Sequence, residues 1–158
     1  MGNYIDIEKD FIIRTQKLIA QYETILHKFD FEEQLNYTLL INCMLGLVVL
    51  PKEKSFHYLP SQTLFDKKAL TEMGINNSTL NPKYKDLKSL IIALRHSVAH
   101  FNIKIESVND QFHIDNIIFQ NDENGEAYEV ANFKANELLP FLRYYSDWLL
   151  SNLKNYKP

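Results

Sequence analysis

Residues 94–102 read LRHSVAHFN, and how this stretch folds decides the reading of the whole chain. Upstream of it Leu87, Ile91, Leu94 and Val98 recur at steps of four, three and four, the spacing of a buried helical stripe. With that stripe as the front of a helix, about 100° per residue puts His96 and His100 nearly at the back. Arg95 and His100 then stand about 140° apart, flanking the back face, with His96 and Ala99 between them. These three cationic or titratable groups share a face that the helix's own core does not need. Ala99 is small, so a ligand, a substrate or a second copy of the helix has room to approach.

Spacing alone leaves three readings open. Arg and His at a helix end can serve the last carbonyls and the helix dipole, with no further role. His96 and His100, four apart, can hold zinc with His113 as a third ligand. That reading lacks the Glu that follows the first His in zinc proteases, and no cysteine is nearby. In the third reading Arg95 grips a phosphate and His100 moves protons in phosphodiester chemistry.

The rest of the chain sets the context. Its 158 residues fit one domain, 1–158, able to bury a sizeable core. A hydrophobic content of 46% with 23% charged residues is that of a soluble globular protein. A net charge of −3 argues against broad nonspecific coating of nucleic acid, but a cleft can still focus positive potential locally. Cys43 is the single cysteine, so there is neither a disulfide framework nor a cysteine metal cluster, and its apolar run marks a small core residue. The start MGNYIDIEKDF has acids and no apolar h-region, so it does not read as a signal peptide. Asp6 stands where a myristoylation signal wants Ser or Thr. The longest apolar run, 38–50, is too short to span a bilayer. A cytoplasmic protein without a membrane segment is expected.

Periodicity supplies the elements. Phe11, Leu18, Tyr22, Ile25 and Phe29 outline a first helix over about 6–28. Asp30 and Glu33 resemble a capping box opening a second helix, which Pro51 ends. This helix is apolar nearly all round, except for a stripe of Thr38, Asn42 and Gly46. Asn42 is therefore expected to be buried, and without partners it would cost roughly 1–3 kcal/mol. Residues 51–80 form a long connection containing one short helix over 65–73. Asn81-Pro82 is a start signal for the third helix, which runs to about 100. From 103 to 133 the period changes to two, and Asn109-Asp110 and Asn124-Gly125 mark turns, giving two or three short antiparallel strands. Leu138, Leu142, Tyr145, Leu149 and Leu153 line a final helix, whose Tyr144 and Trp148 read as packing residues before base-stacking ones. The Lys-bearing tail at 154–158 reads as frayed.

The run RHSVAHFNI at a helix end resembles the Arg-x4–6-His motif of the HEPN superfamily, in which a polar residue such as His96 directly follows the Arg. The helix NYTLLINCMLGLVVLPKE, the strand insertion and the closing LLPFLRYYSDWL resemble a plasmid- and bacteria-borne branch of it. The resemblance implies a mainly α, up-and-down bundle of four or five helices with a small β insertion before the last. It implies a homodimer whose motif faces meet and a metal-independent endoribonuclease needing no cofactor, in which His100 is general base or acid and Arg95 holds the scissile phosphate. His96 and Asn42 would be supporting residues that orient them. RNA would be the substrate, an antitoxin a potential partner, and toxin–antitoxin or phage defence the setting. Some HEPN toxins carry a modifiable Tyr two residues after the motif His. Asn102 stands there instead, which puts that regulation in doubt. Non-catalytic HEPN modules that bind nucleic acid, nucleotide or protein are the alternative.

Overall fold

The computed structural model describes residues 4–49, 66–108 and 114–155. Asp6 opens the first helix, α1 (Ile7–Ile25), by accepting a hydrogen bond from the Lys9 amide. The face that α1 buries carries Ile12, Thr15 and Ile19, not the stripe expected from its larger apolar residues. Leu18 is half exposed, and Ile25 and Phe29 are exposed. The reason lies in what α1 meets. Gln16 donates to Ser146 Oγ and Asp147 Oδ1, both at 2.7 Å, and Glu23 pairs with Arg143, so the turn of α1 is set by polar bonds to the last helix.

The second helix also begins later than its capping signal indicates. Asp30 makes no side-chain cap, and Phe31–Glu33 closes only a 3₁₀ turn. The helix α2 (Asn36–Met44) starts beyond it, where the Leu35 amide donates to Tyr22 Oη at 2.6 Å, and continues into a π-helical turn, Leu45–Val49. Gly46 lies in that turn because a Cβ there would come within 2.6 Å of the Phe11 ring. Gly46 thus faces α1, and Asn42 borders it, while Thr38 is exposed. Asn42 is exposed rather than buried, and so requires no buried partner.

Residues 51–65 lie outside the described residues. The short helix α3 (Lys67–Glu72) is capped by Asp66 and ends at Gly74, whose φ of +77° suits glycine. A Cβ at Gly74 would sit 2.4 Å from Pro140 Cβ, so the turn packs directly on the last helix. Next to it Glu137 accepts hydrogen bonds from the amides of Asn76, Asn77 and Ser78, the Asn77 amide group and the Ser78 hydroxyl. Burial alone would raise the Glu137 carboxyl. Bonds from Ser78, Asn77 and Asn76 outweigh it and hold the group below its ordinary value.

Strand β1 (Thr79–Leu80) follows. Asn81-Pro82 does not start the third helix. Asn81 Oδ1 accepts from the Lys83 amide, and its carbonyl accepts from the Tyr84 amide, making a turn. The helix α4 (Leu87–Ala99) begins later, under a capping box of Asp86 and Ser89. Leu87, Leu90, Ile91, Leu94 and Val98 are buried as its front face. Each fully buried side chain of this size contributes about 1.5–3 kcal/mol.

Strands β2 (Ile103–Glu106), β3 (Asn116–Glu123) and β4 (Glu126–Lys134) complete an antiparallel sheet in the order β1-β4-β3-β2. The 103–133 region thus supplies three strands, as its period indicates, and among the described residues the short segment 79–80, read from sequence as part of a connection, adds a fourth at the edge of β4. Asn124 and Gly125 both have positive φ, as a two-residue hairpin turn requires. The second turn signal, Asn109-Asp110, and the tail at 156–158 lie outside the described residues.

The last helix, α5 (Ala135–Asn155), buries Leu138, Leu142, Tyr145 and Leu149 as its spacing indicates, while Leu153 is partly buried. Tyr144 and Trp148 pack against the core. The chain is therefore mainly α with a small antiparallel sheet inserted before the last helix. Among the described residues no helix is long and apolar enough to cross a membrane.

Candidate functional site

The stretch 94–102 is the end of α4, and its back face is open. His96, Ala99 and His100 are exposed and Arg95 is partly buried, while Leu94, Ser97 and Val98 are buried. The rings of His96 and His100 are in contact, with centroids 4.4 Å apart and a tilt of 55°. One turn of helix thus delivers two imidazoles side by side, with the partly buried Arg95 next to His96 in the chain.

A Schellman motif ends the helix and fixes that geometry. His100 is the C-cap, the Phe101 amide donates to the Val98 carbonyl, and the Asn102 amide donates to the Ser97 carbonyl. The residue placed in the left-handed conformation is Phe101, with φ of +55°. Glycine is the usual choice there, and a bulky residue in this region stores strain of about 1–3 kcal/mol. The Phe101 side chain is 72% exposed, so its packing does not offset that strain. An uncovered, strained aromatic therefore sits directly beside His100. It was not among the residues singled out from sequence.

Two further neighbours come from elsewhere in the chain. The Tyr145 hydroxyl is buried and has no hydrogen-bond partner among the described residues. Burial pushes this phenol well above its ordinary range, while the positive charge of Arg95 pulls the other way, so Tyr145 lies within reach of the guanidinium's field. The other contact is through Ser97, the buried member of the motif. Its hydroxyl donates to Asn121 Oδ1 at 2.8 Å, and Asn121 Nδ2 donates to the Ala93 carbonyl at 3.1 Å. This buried polar pair holds the end of α4 on β3.

A groove of about 510 Å³ opens where the back of α4 meets the β3–β4 hairpin, lined by Ile92 and His96 of α4, by Asn121 and Tyr128 of the strands, and by Tyr84. The Tyr84 and Tyr128 hydroxyls are 2.9 Å apart. Burial and the Tyr128 partner raise the Tyr84 phenol, against an opposing hydrogen bond from Asn121.

Asn42 is not part of this assembly. It lines a separate groove between α1 and α2, with Tyr4, Phe11, Arg14, Thr15, Leu18, Leu39 and Cys43. The sequence placed it as support for Arg95 or His100, but its helix face is turned to α1. Cys43, close by, is buried and its thiol is pushed up to about 11, which leaves little thiolate. His113, the third ligand of the zinc reading, lies outside the described residues. Among the described residues no three His, Cys, Asp or Glu side chains converge on a potential metal position.

Tyr84, Asn121 and Tyr128 escaped sequence reasoning, and Tyr145 was read only as lining the last helix, because they come from separate segments that no local spacing connects. Phe101 did carry a signal. A helix that stops in a Schellman motif without glycine puts another residue in the left-handed position, and Phe101 is the one after the C-cap.

No curated protein and no solved structure matches the chain. The family model described as HEPN pEK499 p136 matches residues 1–156. With nearly the whole chain inside that match, the protein belongs to the HEPN pEK499 p136 family.

Proposed function

We propose that this protein is a metal-independent endoribonuclease working as a homodimer, its helices arranged as an up-and-down HEPN bundle. The observation that carries the reading is the open back of α4. His96 and His100 stand exposed on it with their rings in contact, and Arg95 borders it, partly buried, with its charge felt by the core residue Tyr145. Two such faces meeting across a two-fold axis would double the local positive potential in an acidic chain, and bring RNA phosphate to it.

In the reaction, the ribose 2′-oxygen attacks the adjacent phosphorus while the bond from phosphorus to the 5′-oxygen breaks. His100 accepts the 2′-hydroxyl proton, or an imidazolium at that position supplies the proton to the departing 5′-oxygen. Arg95 holds the phosphoryl oxygens and stabilises the charge that grows on them, an interaction worth on the order of 3 kcal/mol in comparable sites. The products are a 2′,3′-cyclic phosphate and a 5′-hydroxyl. His96 is a positioning residue, its ring against His100. A toxin–antitoxin or phage-defence setting, with an antitoxin as partner, follows from family analogy alone.

The deciding experiment incubates the purified protein with labelled RNAs in excess EDTA, beside Arg95→Ala and His100→Ala. Cleavage that leaves cyclic phosphate ends and disappears in both variants supports the nuclease. The second reading is a non-catalytic HEPN dimer that binds RNA, and the open groove beside His96 is the observation that favours it. Uncut but bound RNA, with binding lost in Arg95→Ala, would select it.

A further inference from the structure

We propose that the groove between the back of α4 and the β3–β4 hairpin seats one unpaired base of single-stranded RNA, preferring a base with an exocyclic amino group. For its orientation this rests on the reading of Arg95 and His100 as a phosphate-handling pair.

The groove is built rather than incidental. Its floor is a fixed polar chain running from Ser97 through Asn121 to the paired hydroxyls of Tyr84 and Tyr128. A bulge in β4 puts Tyr128 there. Phe119 pairs with Ala131, but Gln120 pairs with Glu129, so Val130 is the extra residue and Tyr128 falls opposite Asn121. Without that bulge Glu129 would stand across from Asn121 on the face toward α4. Bulges of this kind re-aim side chains and concentrate beside functional sites. The α4 wall carries Ile92 and Ala93 between Ser89 and His96, and Ile92 is 49% exposed, an uncovered β-branched side chain. A volume of about 510 Å³ is within the range of small-ligand sites.

Charge selects the occupant. The rim away from the motif carries the carboxylates of Asp122 and Glu123, and its one lysine, Lys83, is already paired with Glu123. Asp122 Oδ1 also accepts from the Gly125 amide, which fixes the carboxylate at the hairpin turn. Such a rim repels phosphate and accepts hydrogen bonds from amino groups. The other end of the groove is His96, whose ring touches His100. Imidazoles thus lie at one end, with carboxylates and the Glu123-paired Lys83, over the Tyr128 ring, at the other, and aromatic and apolar walls between. A nucleotide has the same polarity: phosphate at the motif, base between the walls, amino edge at the carboxylates. Unpaired bases in RNA are commonly held in this way, by aromatic contact and edge hydrogen bonds.

Cytidine and uridine, which differ in an amino against a carbonyl group at one ring position, provide the test. Each is titrated into the full-length protein and followed by amide chemical shifts, with no cleavage required. Cytidine should move resonances of residues 83–84, 92–96 and 121–128 and bind at least five-fold tighter than uridine. Ile92→Asp, at an exposed position, should abolish the shifts. Asp122→Asn, which retains an acceptor for the Gly125 amide, should reduce the cytidine preference to less than two-fold. Equal binding of the two nucleosides, shifts elsewhere, or shifts unchanged in Ile92→Asp would overturn the proposal. A 2′-O-methylated hexacytidylate should bind at least ten-fold tighter than cytidine monophosphate, and equal or weaker binding would overturn the assignment to an RNA chain. Failure of the nuclease reading is seen separately. RNA left uncut beside selective cytidine binding refutes catalysis alone, whereas cleavage with no base selectivity refutes the groove alone.

Discussion

Two polar clusters in this chain follow opposite rules. Around Glu137 the side chain is 5% exposed, its oxygens accept hydrogen bonds from Asn76, Asn77 and Ser78, and the neighbouring positive φ belongs to Gly74. At the end of α4 the histidines are exposed, a nearby tyrosine hydroxyl is buried without a described partner, and the positive φ belongs to Phe101. The first cluster has every local rule satisfied, which is what a structural staple needs. The second departs from those rules repeatedly within a few residues. Departures of this kind are retained where function requires them, because elsewhere they only lower stability. The comparison therefore sets a cluster whose bonds are internal to the fold beside one left open at the surface, which the proposed function assigns to RNA.

The sharpest way to break that comparison is to exchange the expected phenotypes. Arg95→Ala and His100→Ala should each lower RNA cleavage by about 10²-fold or more, the range for removing a charge-stabilising or proton-transferring group. His100→Ala should shift unfolding stability by less than about 0.5 kcal/mol, as surface substitutions do. Cleavage rates and denaturant midpoints measured on the same preparations decide it. A variant that cuts normally but unfolds early would put the motif in the structural class.

Glu137→Gln tests the other side. The variant keeps the shape but loses the charge that several donors converge on, and should cost about 2 kcal/mol of stability. Cleavage per folded molecule should not change. The pH dependence has a definite sign. The folded carboxyl titrates below its ordinary value of 4.5, so its stabilisation is present above that value and lost as the pH falls through the lower folded one. The wild type should lose stability in this acid window more steeply than Glu137→Gln. Matching acid profiles in urea titrations would show that the staple adds nothing.

The sequence made the front and back of α4 legible because a single apolar stripe at helical spacing assigns both faces at once. Asn124-Gly125 was equally legible, since few residues tolerate two successive positive φ angles. The face of α1 was not. Apolar residues surround that helix, and its contact with α5 is set by Gln16 and Glu23, whose partners lie more than a hundred positions away. Asn81-Pro82 and Asp30-Glu33 failed for a related reason. A cap signal states that a helix could begin, while the turn that forms instead is stabilised by neighbours such as the β1–β4 pair. Of the candidate site, the sequence exposed the residues that share one helix. It hid the groove, because its walls depend on the register of β4, and one bulged residue decides whether Tyr128 or Glu129 faces α4.

The smallest expected effect concerns Phe101 and sharpens the comparison at the level of backbone. Gly74 and Phe101 both have positive φ, but only Phe101 carries a side chain there. Phe101→Gly removes the strain of a bulky residue in the left-handed region and forfeits little packing, since the ring is 72% exposed. Glycine also has more freedom in the unfolded chain, which offsets part of that gain. The net change should be a stabilisation of about 0.5–1 kcal/mol, read as a higher denaturant midpoint with an unchanged slope. Dimer formation or RNA cleavage should weaken in the same variant, because the ring beside His100 is gone. A more stable and less active protein would show that the strain at this helix end is held for function. If Phe101→Gly proves less stable, the ring makes contacts that its exposure does not reveal, and the end of α4 then belongs with the structural cluster around Glu137.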